Sequence, residues 1–180
     1  MAIRKIVEYP ARVLETKAKE VLDFNQDLKT LVKDMIETME DSKGIGLAAN
    51  QIDILKRVLV IRIPWSEKDE EKRQDWHDKT WVIINPKILE VSRKKTRYQE
   101  GCLSFPGMFD FVERPETVKI SAQDEDGKPF ELTADGLFAI CIQHEIDHLD
   151  GIVFFRRMSR LKAARIKKKI EKRIQELQST

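Results

Sequence analysis

Cysteine is scarce in this chain: Cys102 and Cys141 are the only two among 180 residues. Two thiols do not make a disulfide framework. A reducing cytosol fits, and both are then free for a metal or for packing. Long apolar runs are also missing. No stretch of about 18 or more apolar residues occurs, so no transmembrane helix is expected. The start, "MAIRKIVEYP", lacks a continuous apolar core and a small-residue cleavage site, so no signal peptide is expected. No internal repeat is apparent. Net charge is low at +2, but it is unevenly spread. From Arg156 onward ten Lys or Arg stand against two Asp or Glu, which is +8 and leaves −6 for the rest. A near-neutral body with a basic tail suggests a partner for the tail. A content of 41% hydrophobic and 36% charged residues fits one soluble globular domain over 1–180.

Several stretches carry a structural signal. In 25–44, Leu28, Leu31, Val32, Met35 and Met39 repeat at helical spacing, with Asn25 as N-cap and Gly44 as stop. "RVLVIRI" (57–63) reads as a buried strand, and "WVIINPKILEV" (81–91) as another, interrupted at Pro86. Between them lies a highly charged loop (66–79), in which His77 is expected at the surface. "ETVKISAQDEDGKPFELTAD" (116–135) reads as a hairpin turning at "DEDGKP". A helix follows, capped by Thr133 or Asp135. The last segment, 159–178, is a helix with a stripe of Ile166, Ile170, Ile174 and Leu177 under a basic surface. Strands framed by helices indicate an α+β domain, with antiparallel or mixed sheets around a central helix and helices at both ends.

That central helix ends in "CIQHEIDHLDG" (141–151), which holds two of the three histidines. On a helix, His144 and His148 lie one turn apart on one face and can aim at one ion. Glu145 sits about 100° around from His144, near enough to reach a water on that ion without ligating it. A divalent ion lowers the pKa of bound water from about 15.7 toward about 7. An adjacent carboxylate can take the proton and deliver it to a leaving amine. The preceding "GLFAIC" is too apolar for a surface helix, so two plain surface histidines do not fit.

A catalytic centre of this kind needs a third protein ligand and an open position. The protease pattern H-E-x-x-H-x-x-G-x-x-H is excluded, because Gly151 fits it but Phe154 stands where the last His belongs. Glu171, set among lysines, is a poor ligand for a cation. Cys102 in "EGCLSFPG" and Cys141, three residues before His144, are both open on spacing alone. The apolar setting of Cys141 favours packing.

Three blocks occur in order: "GIGLAANQ" (44–51), "EGCLS" (100–104) and "QHEIDHLDG" (143–151). Together they resemble the peptide deformylase family, over nearly the whole chain. The resemblance implies removal of the formyl group from the N-terminal methionine of nascent polypeptides, with release of formate. It implies Cys102, His144 and His148 as metal ligands, with Fe²⁺ as the metal and Zn²⁺, Ni²⁺ or Co²⁺ able to substitute. Ligand softness alone suggests zinc. It further implies Glu145 as proton shuttle, and the Leu103 backbone N–H and Gln51 amide as oxyanion donors. The segment of Ile45 and Gly46 would hold the substrate backbone, Gly46 permitting close approach and unusual dihedrals. No lysine follows it, so it is not a phosphate loop. Leu137, Ile140 and Cys141 share the helix face of the ligands, and the resemblance puts the methionine pocket there.

Further expectations go with this. Glu100 and Arg114 form either a pair that orients the Cys102 loop or an ordinary surface ion pair. Phe109 departs from the arginine or other polar residue of many bacterial members, and with Phe105, Met108 and Phe111 it makes an apolar surface. The 66–79 loop, longer than in many members, borders the entrance. The basic helix (161–178) is either a solvated face on a helix packed by its isoleucine stripe or, by resemblance, a surface that docks on ribosomal RNA, where clustered Lys and Arg bind phosphates. The expected location is the bacterial cytoplasm, with no membrane partner. The competing readings are a general metallopeptidase and a ribosome- or RNA-associated protein whose metal site is closed by Cys141 and non-catalytic.

Overall fold

A computed structural model of the chain describes residues 2–65 and 74–178. The elements in chain order are helix α1 (Gln26–Asp41), strands β1 (Gly46–Ala48), β2 (Val58–Arg62), β3 (Thr80–Val91), β4 (Lys95–Gly101), β5 (Phe109–Pro115), β6 (Thr117–Gln123) and β7 (Pro129–Asp135), then helices α2 (Gly136–Leu149) and α3 (Arg160–Gln178). Short 3₁₀ turns lie at Arg12–Glu15, Ala49–Ile52 and Phe154–Arg157. One sheet runs in the order β1-β2-β3-β6-β7 and a second pairs β4 with β5. The named ladders are antiparallel. The architecture is α+β, as the sequence suggests. Its N-terminal part has one α-helix, α1, with a 3₁₀ turn on either side, at Arg12–Glu15 and Ala49–Ile52, rather than several α-helices.

The buried run of β2 has a direct cause. Leu59 and Ile61 face a core shared with α2, while Val58 and Val60 face a core shared with α1. A strand covered on both faces has no need of alternation. Each such side chain contributes about 1.5–3 kcal/mol by leaving water. A third cluster joins Phe105, Met108, Val112, Phe154 and Phe155 to Ile166 and Ile170 of α3. Ile174 packs partly against it, and the side chain of Leu177 lies outside the described residues.

The structure corrects the sequence reading at several places. β3 is not interrupted at Pro86. Asn85 takes a left-handed φ of 52° and a register shift falls between Ile84 and Lys87, so the strand bulges and continues. The Asn85 amide holds that bulge, accepting from Val21 N–H and donating to Val21 O, each at 2.8 Å. α1 ends at Asp41, three residues before Gly44, with Ser42 as C-cap and Lys43 rather than Gly44 in the left-handed conformation, at φ 55°. Asn25 caps it as expected, accepting from Leu28 N–H at 3.1 Å. Asp135 holds the N-cap position before Gly136 but its side chain makes no capping hydrogen bond, and Thr133 lies within β7. His77 is buried at 7% exposure, its ring stacked on Trp76 and its Nδ1 accepting from Gln74 N–H at 2.8 Å. Trp76 in turn stacks on Phe138. Most of the charged loop, 66–73, lies outside the described residues, and so does its expected place at the entrance. Among the described residues no helix is long and apolar enough to cross a membrane.

α2 explains why the functional residues are held so firmly. From Phe138 to Leu149 every residue is buried, and the helix packs against β1, β2, β5, β6 and β7. Its end is fixed by Gly151 at φ 71° and by Arg57, which donates to Asp150 at 2.7 Å and places a cation at the helix C-terminus.

Candidate active site

α2 presents His144 and His148 on one face, and the β4–β5 connection brings Cys102 to meet them. Their ligand atoms all lie within 4.8 Å of one another. Cys102 Sγ is 3.1 Å from His148 Nε2. His144 Nδ1 bonds Glu100 Oε2 at 2.8 Å, which leaves its Nε2 for the shared point. One thiol and two imidazoles in this compass fit a divalent transition ion. Burial pushes both imidazoles down. For His144 the adjacent Cys102 sulfur and Glu100 outweigh burial and hold a proton, while His148 stays neutral. A cation can replace that proton, as metal sites commonly require.

Cys141 is not part of this group. Its Sγ faces the Ile45 carbonyl oxygen at 3.8 Å, and burial pushes its thiol up, away from the thiolate a metal needs. Glu171 is exposed on α3. The choice between thiols that spacing left open therefore goes to Cys102.

A pocket of about 590 Å³ opens beside the three ligands. Ile45, Gly46, Gln51, Leu103, Leu137, Ile140, Cys141 and Glu145 line it together with Cys102 and His144. His148 stands behind this wall, at 1% exposure. Glu145 is 4% exposed, and its Oε2 has no hydrogen-bond partner among the described residues. Burial pushes its carboxyl up to about 7, with the His144 charge pulling the other way. A carboxyl balanced near neutrality can both take and give a proton.

Gln51 is oriented from behind. Its Oε1 accepts from Ala48 N–H at 2.9 Å, so Nε2 points to Cys102 Sγ at 3.5 Å and Ser104 Oγ at 3.3 Å. Gly46 belongs to β1 without a left-handed φ, so space rather than dihedral freedom explains it. A Cβ there would lie 2.6 Å from Glu145 Oε1 and 2.7 Å from Cys141 Sγ.

Glu100 and Arg114 form a buried pair, not a surface one. Arg114 donates to Glu100 through Nε at 2.5 Å and Nη2 at 3.0 Å. Burial alone would raise the Glu100 carboxyl, but the His144 and Arg114 hydrogen bonds outweigh it and hold it at about 2. The pair therefore acts on His144 as well as on the Cys102 segment. Ser104 and Asp147 escaped the sequence reading. Each sat inside a quoted block, and only the fold turns it toward Gln51 or Arg114.

The expected apolar surface divides in two. Phe105 and Met108 are core, whereas Phe109 is 60% exposed and Phe111 44%. Phe109 lines the pocket and covers Gly101, where a Cβ would meet its ring at 2.3 Å. Phe111 instead carries the Arg97 guanidinium over its ring.

The sequence profile of the family described as polypeptide deformylase matches residues 3–164. The peptide deformylase of Chromobacterium violaceum is 52% identical over 173 residues, 96% of this chain and 97% of that one. That of Neisseria gonorrhoeae is 49% identical, again over 96% and 97%. Among solved structures, a peptide deformylase from Legionella pneumophila matches with a TM-score of 0.84 at 42% identity, covering 99% of this chain and 98% of that one. The Ehrlichia chaffeensis enzyme in complex with actinonin matches with a TM-score of 0.86 at 39% identity, covering 96% and 98%. The chain belongs to the polypeptide deformylase family.

Proposed function

We propose that this protein is a metal-dependent peptide deformylase, removing the N-formyl group from the formylmethionine of nascent polypeptides and releasing formate. One observation carries this reading. The Cys102, His144 and His148 ligand atoms converge beside a pocket that Glu145 also lines, with its Oε2 free of any hydrogen bond among the described residues.

Cys102, His144 and His148 would hold the ion, for which Fe²⁺ is proposed, with Zn²⁺, Ni²⁺ or Co²⁺ as substitutes. When bound it supplies a Lewis acid and lowers the pKa of water at neutral pH. Glu145 takes a proton at its carboxylate and returns it to the departing peptide amine, a task its value near 7 suits. Gln51 Nε2 and the Leu103 N–H stabilise the negative oxygen that develops as the formyl carbon is attacked. The weak 3.5 Å contact from Gln51 to sulfur is readily given up for that oxygen. The backbone at Ile45 and Gly46 holds the peptide alongside β1. Leu137, Ile140 and Cys141 form the apolar floor for the methionine side chain. Phe109, exposed at the rim, offers a contact to residues after the methionine.

A general metallopeptidase is not favoured, since the ligand set is Cys/His/His. A closed, non-catalytic site is not favoured either, since Cys141 faces Ile45 rather than the ligands. The experiment that separates these readings offers formyl-Met-Ala-Ser and acetyl-Met-Ala-Ser to the metal-loaded protein. Formate from the first, with the Met-Ala bond intact in both, supports deformylation. Cleavage of the internal bond supports a peptidase, and no reaction supports a binding protein.

The proposed site of action is the cytoplasm, on chains leaving the ribosome. The support is the exposed basic face of α3, with Arg165, Lys167, Lys168, Lys169 and Lys172. Removing 161–180 would also strip Ile166 and Ile170 from the core under the Cys102 loop. Charge reversal at Lys168, Lys169 and Lys172 is the cleaner test. It should abolish co-sedimentation with ribosomes at low salt and leave peptide turnover intact. Unchanged co-sedimentation would remove this part of the reading.

A further inference from the structure

Just past α2, outside the pocket, Arg157 holds Asp147 with one whole edge of its guanidinium. Its Nε donates to Oδ2 at 3.0 Å and its Nη2 donates to Oδ1. The same Oδ2 accepts from Arg114 Nη1 at 2.7 Å. Arg114 grips both oxygens of Glu100, and Glu100 Oε2 accepts from His144 Nδ1. Four charges thus alternate in sign from the surface to the ligand and sum to zero. Arg157 is the one member that reaches water: its side chain is 47% exposed, against 7% for Asp147, 5% for Arg114 and 4% for Glu100.

We propose that Arg157 is a positioning residue for His144, acting through Asp147, Arg114 and Glu100. Charge and donor count both point to this role. Without Arg157 the buried Glu100–Arg114–Asp147 group carries a net −1, and Asp147 keeps a single strong donor, Arg114. An uncompensated buried carboxylate is costly, and bidentate arginine pairs are the strongest neutralisers available. Arg114 is then drawn toward Asp147, its two-point hold on Glu100 loosens, and the bond that turns His144 Nε2 toward the ligand cluster loosens with it. Partners of this outer kind typically alter metal affinity by about 10–100-fold. The neighbouring Arg156 sits on the same 3₁₀ turn but pairs with Glu15 at the surface, with no link to this chain of charges. It separates a charge relay from a mere tether of that turn.

The inference rests on the metal-centre reading above, and the test keeps the two apart. Full-length parent, Arg157→Ala, Arg157→Lys and Arg156→Ala are compared by two readouts. One is Co²⁺ affinity, by competition with a chelator and followed by thiolate-to-cobalt absorption. The other is the His144 Nδ1–H resonance in metal-free protein, which a tether of the turn would not move. Arg157→Ala should bind Co²⁺ about tenfold more weakly and broaden or shift that resonance. Arg157→Lys, keeping the charge without the two-point grip, should fall between, and Arg156→Ala should match the parent. Affinity within about twofold of the parent and an unchanged resonance in Arg157→Ala would overturn the proposal, as would equal losses in Arg156→Ala. If Arg157→Ala does not fold, Arg157→Lys decides by the same two signals. A parent that binds no Co²⁺ defeats the metal-centre reading, and the metal-free resonance still judges the role of Arg157.

Discussion

Glu100 Oε2 accepts from His144 Nδ1 at 2.8 Å, and this single bond fixes which nitrogen of His144 is left for a metal. Glu100 is itself clamped by Arg114, so the carboxylate cannot swing away. Replacing Glu100 with Ala should lower metal affinity by about 10–100-fold while Cys102 and His148 remain in place. Chelator competition on the purified variant measures this. Retention of parental affinity would show that His144 needs no such hold.

Gly46→Ala tests the closeness of β1 to the reacting groups. The backbone there tolerates alanine, since its φ is not left-handed. The new Cβ would press on Glu145 Oε1 and Cys141 Sγ. Turnover of formyl-Met-Ala-Ser should fall about 100-fold, a typical cost of displacing a catalytic group by a fraction of an ångström to an ångström. The melting temperature should move only slightly. A variant with parental kcat/KM would mean that Glu145 does not need its present position.

Gly151→Ala should act on stability instead. The residue combines φ 71° with a Cβ position 2.8 Å from the Glu15 backbone. Backbone cannot yield as a flexible side chain does, so a loss of about 1–3 kcal/mol is expected in urea unfolding. A variant as stable as the parent would show that this turn has room.

Asp34 on α1 provides a pH signature of its own. The Ala2 backbone N–H and then the Arg4 guanidinium hold its carboxyl below the usual range. A folded pKa below the unfolded one means the stabilisation is fully present above about pH 4 and is lost as pH falls through the folded value. The stability difference between parent and Asp34→Asn should therefore be widest at neutral pH and shrink in acid. A difference that does not vary with pH would assign the effect to packing.

The sequence revealed the buried strand β2, the β6–β7 hairpin and the three helices, because apolar periodicity and turn chemistry are local. It also pointed to His144, Glu145 and His148, because helical spacing is geometry written in order. The β4–β5 hairpin carries no such local signal: Lys95–Gly101 is largely exposed and has no apolar alternation. Its importance lies in carrying Glu100 to His144 and Cys102 to His148, each more than 40 residues away, which no local pattern encodes. His77 misled for a related reason. Its charged neighbours suggested the surface, but stacking of Trp76 on Phe138 draws the turn inward. Asp147 and Arg157 looked like ordinary charges until the fold set Arg114 between two carboxylates.

Glu145 is proposed to move the proton in a deformylation at the Cys102–His144–His148 centre. The most direct test is formate release from formyl-Met-Ala-Ser by protein purified without oxygen, beside Glu145→Ala with metal content matched. Formate release by the parent, reduced by about 100-fold or more in the variant with the metal retained, is the predicted result. Equal formate release by the two, or none by the parent with Fe²⁺, Ni²⁺ or Zn²⁺ bound, would contradict it.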